Sequence, residues 1–185
     1  MTAIFRSLFV LSLCVLVSAC VESETPLSPP APLPAGSPLI GAWVLQDKHE
    51  IAYLHIGNEG QGVKMVNVEL STNGIVKSES YVASATVLGG NGYLSVQTPR
   101  DGRLLYTLVR YRLSGKNTLT LWPADYRYLE TAVKSGLISG TLDSTAPGVL
   151  LTADQGALQR FVVGYGKQMF PKATVKFRRL ARGSM

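Results

Sequence analysis

From Ile51 to Trp122 the chain is cut at short, regular intervals by residues that reverse a backbone. The cuts are Asn58-Glu59-Gly60-Gln61-Gly62, Ser71-Thr72-Asn73-Gly74, Gly89-Gly90-Asn91-Gly92, Pro99-Arg100-Asp101-Gly102 and Gly115-Lys116-Asn117. Asn-Gly and Gly-Gly tolerate the positive φ that tight hairpins need. Strand-length runs spaced about 8–12 residues apart predict an antiparallel meander closing as a barrel or sandwich, and closure also removes edges that would invite aggregation.

The runs between the cuts alternate as strands should. The first begins at Trp43-Val44-Leu45. Ile51 to Ile56 sets Ala52, Leu54 and Ile56 against Ile51, Tyr53 and His55. Val63 to Leu70 sets Met65, Asn67 and Glu69 against Lys64, Val66, Val68 and Leu70. A long strand, Ile75 to Leu88, and a return, Tyr93 to Thr98, follow. Leu104 to Leu113 sets Leu105, Thr107, Val109 and Tyr111 against Tyr106, Leu108, Arg110 and Arg112, and Thr118 to Trp122 comes next.

Two stretches break this rhythm. Residues 123–135 predict a helix, with Pro123 in its first turn, Leu129, Ala132 and Val133 on one face, and Gly136 as a left-handed cap. Residues 153–166 predict a second. Thr152-Ala153-Asp154-Gln155 has capping-box spacing, and Leu158, Phe161, Val162, Tyr165 and Met169 recur at helical steps until Gly164, Gly166 and Pro171 weaken or end them. Short strands are expected at Leu137-Ile138 and Gly148 to Leu151. Ala173 to Leu180 alternates Val175 and Phe177 against Lys176 and Arg178, as a last strand closing the sheet would. The fold class is therefore mainly β, an up-and-down antiparallel meander closing as a barrel or sandwich, with two short helices towards the C-terminus.

The N-terminus reads differently. Met1 to Arg6 carries one basic side chain, and residues 7–17 are almost wholly apolar but too short for a bilayer span, which needs about 20. This is the layout of a secretory signal. Its end, Val17-Ser18-Ala19-Cys20, resembles the lipobox of bacterial lipoproteins: an aliphatic residue, two small ones, then Cys. Cys14 fits less well, because Leu13 stands where Ala or Gly is wanted. The resemblance implies that residues 1–19 are removed and that Cys20 is acylated on sulfur and on its new amine. Several chains at about 0.8 kcal/mol per buried methylene would anchor firmly. Val21, rather than Asp, after the Cys implies the outer membrane, facing the periplasm. Residues 20–38, with Pro26, Pro29, Pro30, Pro32, Pro34 and Pro38, are expected to form an extended tether. The folded domain is expected over 39–185. Without a second cysteine in the mature chain, its core rests on apolar burial alone.

Gly41-Ala42-Trp43 at the start of the first strand resembles the Gly-x-Trp of the lipocalin-like, or calycin, superfamily. That resemblance implies the barrel form of closure, a lipocalin-like barrel of eight strands. It implies too that Trp43 plugs one end of the barrel and that an arginine late in the chain, Arg178 or Arg179, packs across it.

The chemistry is sparse. His49 and His55 lack zinc-site spacing, since the position four after His49 is Tyr53. There is no Gly-x-Ser-x-Gly elbow, and Gly164-Tyr165-Gly166-Lys167-Gln168 is no phosphate loop. Neither an enzyme nor a cofactor is expected. The net charge is +6, and after Asp154 come Arg160, Lys167, Lys172, Lys176, Arg178, Arg179 and Arg182 with no acid. An exported, lipidated chain argues against nucleic acid as partner. Tyr126, Arg127 and Tyr128 form an aromatic-basic candidate interface. The expectation is a lipid-anchored envelope protein acting as a periplasm-facing binding or assembly module, of which an inhibitor or immunity protein is one form, meeting an envelope protein or cell-wall component. The alternative is a carrier of a small apolar ligand, which needs an open barrel.

Overall fold

The computed structural model describes residues 21–46, 50–71, 74–143, 148–172 and 175–180. Cys20, the residues before it, and His49 lie outside the described residues.

Seven consecutive strands form the meander: β2 (Gly41–Gln46), β3 (Glu50–Glu59), β4 (Gly62–Ser71), β5 (Val76–Leu88), β6 (Asn91–Arg100), β7 (Arg103–Ser114) and β8 (Thr118–Pro123). β11 (Val175–Arg179) returns antiparallel between β8 and β2 and closes an eight-stranded barrel. The turns follow the glycine chemistry. Gly89 and Gly90 both take positive φ, as do Asp101 and Gly102, so the two-residue hairpins match the strand twist. Gly92 has a different reason: a Cβ there would lie 2.4 Å from the Tyr111 ring facing it across β6 and β7.

The chain between β8 and β11 packs outside the barrel. It carries α1 (Tyr126–Lys134), β9 (Gly140–Leu142), β10 (Val149–Leu151) and α2 (Gln155–Met169). Both helices start on aspartates, Asp125 as its turn-and-cap chemistry suggests and Asp154 in place of Thr152. Pro123 ends β8, and Asp125 caps α1 by accepting from the Tyr128 N–H at 2.8 Å. Asp154 caps α2 by accepting from the Ala157 N–H at 2.8 Å. A carboxylate accepts these unpaired amides and also meets the positive end of the helix dipole. α2 runs past Gly164 and Gly166 to Met169, because Gly166 is buried against the Tyr93 hydroxyl. Gly136 takes positive φ after α1, and the Leu137 N–H reaches back to the Ala132 carbonyl.

Two apolar cores result. The first fills the barrel with Trp43, Leu54, Ile56, Val63, Met65, Leu94, Val109, Leu119, Leu121 and Phe177. The second lies between the outer barrel wall and the helices, from Tyr93 and Leu108 to Leu158, Phe161, Val162 and Phe170. β6 serves both, so Tyr93, Leu94, Ser95 and Val96 are buried in succession. On β4 the inward set is Val63, Met65, Asn67 and Glu69, although Val66, Val68 and Leu70 are the more apolar run. Asn67 Nδ2 donates to Glu69 Oε1 at 2.7 Å in that buried place.

Residues 21–38 are not a free tether. Val21–Ser23 forms β1, parallel to β10 and antiparallel to β7, so the sheet continues off the barrel as β7-β1-β10-β9. Leu27 is wholly buried in the second core. Its N–H donates to Ser95 Oγ at 3.0 Å and its carbonyl accepts from Gln159 Nε2 at 2.7 Å, while the Pro26 carbonyl accepts from Gln155 Nε2 at 3.0 Å. Asn58 accepts from the Leu33 N–H and donates to its carbonyl. Prolines need no ladder partner for a missing N–H, so the segment lies along the wall while Val21, Leu27 and Leu39 supply the burial.

Glu22 enters the body with β1 and is 5% exposed. One carboxylate oxygen lies 2.9 Å from Arg100 Nη1, and the other is buried with no hydrogen-bond partner among the described residues. Burial pushes its pKa above the ordinary 4.5, outweighing the pull of Arg100 and Arg103, and Asp101 adds to the rise. A raised folded-state value means that the stabilisation is complete below the unfolded pKa and is lost as pH climbs through the folded one. Thermal melts from pH 4.5 to about pH 7 are expected to show a smaller loss of stability for Glu22→Gln than for the native chain. A chain beginning at residue 39 would leave the Leu27 site empty. It is expected to melt well below the full chain, with a transition broadened by exposure of the second core.

Candidate functional site

One end of the barrel is closed by three residues from opposite ends of the domain. Trp43 is wholly buried and its Nε1–H donates to the Leu39 carbonyl at 3.1 Å. The Arg179 guanidinium lies over the ring, 4.2 Å from its centroid. Arg179 also donates to the carbonyls of Lys116 at 2.7 Å, Ile40 at 3.0 Å and Pro38. Gly41 is required beside them, with φ at 148° and a would-be Cβ only 2.3 Å from Arg179 Nη1. Arg178, one residue earlier, projects to the opposite face and is exposed. The cluster holds no vacant donor set and binds the fold to itself.

The barrel interior is occupied by side chains. Of three bulky residues that would fill it by pointing inward, Phe177 does so. Trp122 lies outside, flanked by Arg110 and Arg112 and packed against the second core. Tyr106 shares the outward face of β7 with Leu108. Tyr126, Arg127 and Tyr128 differ in exposure. The two tyrosines are half-buried against the second core, and Tyr128 is stacked on Phe161 with centroids 6.3 Å apart. Burial raises the Tyr128 pKa, and Tyr165 adds to the rise. Arg127 alone of the three is exposed. His55 is exposed on β3. Among the described residues, no group of three or more His, Cys, Asp or Glu is placed to hold a metal ion.

The outer wall is uneven. Over β6 and β7 it is covered by α2 and by the segment around Leu27. Over β2 to β5 the outward side chains lie in rows across the strands. Arg178, Val44, Tyr53 and Val68 face one another in register on β11, β2, β3 and β4. Ile51, Leu70 and Val76 form the next row on β3, β4 and β5. Tyr53 and Leu70 are more than a third exposed and Val76 is 62% exposed. Beside these rows a groove of about 570 Å³ runs between Tyr53, Val44, Asn117, Arg178 and Leu180. Directly opposed side chains share a face, so the rows make an apolar centre flanked by Arg178 at one end and by Ser78 and Gln46 in the same rows.

Sequence reading did not single out this surface. Its signal is that the second strand is apolar on both faces, Ile51 and Tyr53 as well as Ala52 and Leu54, where a strand with one wet face would alternate.

Trp43→Ala is expected to cost about 3–5 kcal/mol in urea unfolding, in the range for a buried aromatic. A loss under about 1 kcal/mol would show that the ring does not hold this end of the barrel.

No helix among the described residues is long and apolar enough to cross a membrane. No family model matches the chain, and searches of curated proteins and of solved structures return no significant match.

Proposed function

We propose that this is a lipid-anchored protein of the bacterial envelope, held at the outer membrane through Cys20, whose barrel presents a fixed surface to a partner protein in the periplasm. The observation that carries the reading is the contrast between the two outer walls. One is buried under the chain's own helix and N-terminal segment, while the other leaves Tyr53, Leu70 and Val76 uncovered in two adjacent rows. An exposed apolar patch edged by tyrosine and arginine has the composition of an interface centre. Arg178 at its margin favours a partner with acidic side chains around an apolar contact. The occupied interior supports a binding module over a carrier of small apolar ligands, because a carrier of that size needs vacant space inside the barrel. The lipobox resemblance supplies the anchor.

The packed N-terminal segment alters how such an anchor would act. Val21 is already buried, so a lipid on Cys20 would hold the domain at the membrane surface with no extended spacer. The exposed wall would then have a fixed orientation to the bilayer.

The test combines fractionation and site-specific cross-linking in a two-membrane bacterium. Cys20→Ala is expected to move the chain from the membrane to the soluble periplasmic fraction. A photoreactive residue at Tyr53 or Leu70 is expected to give a discrete protein adduct that the same residue at exposed Ser114 does not give. A chain that fractionates alike with and without Cys20 would remove the anchor. Adducts indistinguishable between Tyr53 and Ser114 would remove the interface.

A further inference from the structure

A second concavity lies on the covered side, where the β5–β6 hairpin meets the C-terminal half of α2. Its volume is about 300 Å³, and Asn91, Tyr93, Arg110, Gly164, Gly166 and Lys167 line it. The cavity exists because α2 lacks side chains at two of these positions. A Cβ on Gly166 would lie 3.1 Å from the Tyr93 hydroxyl, whereas one on Gly164 would meet nothing within 4 Å. The glycines that weaken the helix as a helix thus leave open space above the barrel wall.

The charges around that space are one-sided. Arg110 is half-buried beneath the helix, with its guanidinium 5.3 Å from the Trp122 ring centroid. Its Nη2 donates to Asn91 Oδ1 at 2.8 Å, so a neutral amide takes one donor. Its Nε–H is buried with no hydrogen-bond partner among the described residues. No carboxylate pairs with Arg110 or Lys167 among them, and no acid lines the cavity. A guanidinium, an ammonium and a phenol offer donors, the Asn91 carboxamide oxygen is already engaged, and Gln168 adds a neutral carboxamide at the lining. Cation–π contact with Trp122 explains how Arg110 is positioned, but it leaves the positive charge uncompensated.

We propose that this cavity binds a phosphate group, carried either by a soluble phosphate ester or by a lipid headgroup. Two cations without an acid match a dianion better than a monoanionic carboxylate, and Arg presents a planar fork suited to paired oxyanion contacts. Lys167, at the rim, adds a mobile second charge. The volume admits the phosphate and a small organic remainder.

The experiment titrates inorganic phosphate into the full chain in detergent, by calorimetry at constant ionic strength, with chloride as the control ion. Saturable binding is expected for phosphate and not for chloride. Lys167→Ala removes an exposed side chain and is expected to weaken binding about tenfold without changing the melting temperature. Arg110→Met is expected to abolish binding, with circular dichroism reporting whether the fold is retained. A second arm uses phosphatidylcholine vesicles with and without phosphatidic acid, and phenyl phosphate as a soluble competitor. Phosphatidic-acid-dependent binding that falls in Lys167→Ala assigns the site to a lipid headgroup. Phenyl phosphate binding without vesicle dependence assigns it to a soluble ester. No saturable phosphate binding by the native chain, or equal binding by Lys167→Ala, would overturn the proposal.

Discussion

The contact on which the domain depends is the Arg179 guanidinium against the Trp43 ring. An up-and-down barrel is a linear meander until its last strand finds its first, and that closure joins segments far apart in sequence. Here the joining strand is only Val175–Arg179, with Arg178 and Arg179 in register with Val44 and Trp43. Five residues of ladder are a modest hold. Arg179 adds donors to carbonyls on both sides of the seam: Pro38 and Ile40 before β2, and Lys116 in the turn before β8. Cation–π attraction of about 0.5–2 kcal/mol is small against the whole fold, but it acts where the sheet would otherwise open. Gly41 and Trp43 are thus parts of one device. The first makes room for the guanidinium and the second receives it.

Closure also decides what the rest of the chain can do. A barrel filled by Trp43, Met65, Phe177 and their neighbours has only its outer walls to offer. The insertion between β8 and β11 covers one wall and creates a second core, sealed by the N-terminal segment. That segment contributes a parallel strand, a buried leucine and carbonyls received by glutamines of α2. It is part of the folded body, so the packed domain includes Val21 and does not begin at Leu39. An attachment immediately before such a strand would constrain orientation, where an extended proline linker would leave it free.

The legibility of this fold follows the range of the interactions. The meander was readable because hairpins are local: Gly89-Gly90 and Asp101-Gly102 take their positive φ wherever the strands end up. The Arg179 position was readable only to within one residue, since strand parity decides which of two arginines faces inward. The docked segment was not readable, because six prolines signal an extended chain whether or not something lies alongside, and the hydrogen bonds and core that hold Leu27 come from residues distant in sequence such as Ser95 and Gln159. The helix starts shift away from Pro123 and Thr152 for a local reason. Proline and threonine are plausible at those positions, but Asp125 and Asp154 accept the free amides with a full charge. The inward face of β4 was ambiguous, because Asn67 and Glu69 occupy buried positions by pairing with each other while Val66, Val68 and Leu70 face out.

That inversion on β4 bears on function. A strand that buries Asn67 and Glu69 while presenting three aliphatic residues outward gains nothing in solution over the reverse arrangement, since buried polar groups need partners and exposed apolar ones forgo burial. The same bias recurs next door, where Ile51 and Tyr53 face outward beside Val44. Across the barrel, the outward Tyr93 and Leu108 are equally apolar, but α2 covers them. On both walls apolar residues face outward, and among the described residues the chain's own helix and N-terminal segment cover the β6–β7 wall while Tyr53, Leu70 and Val76 stay exposed. Tyr53, Leu70 and Val76 are the exposed part of that bias, and the interface proposed above rests on them.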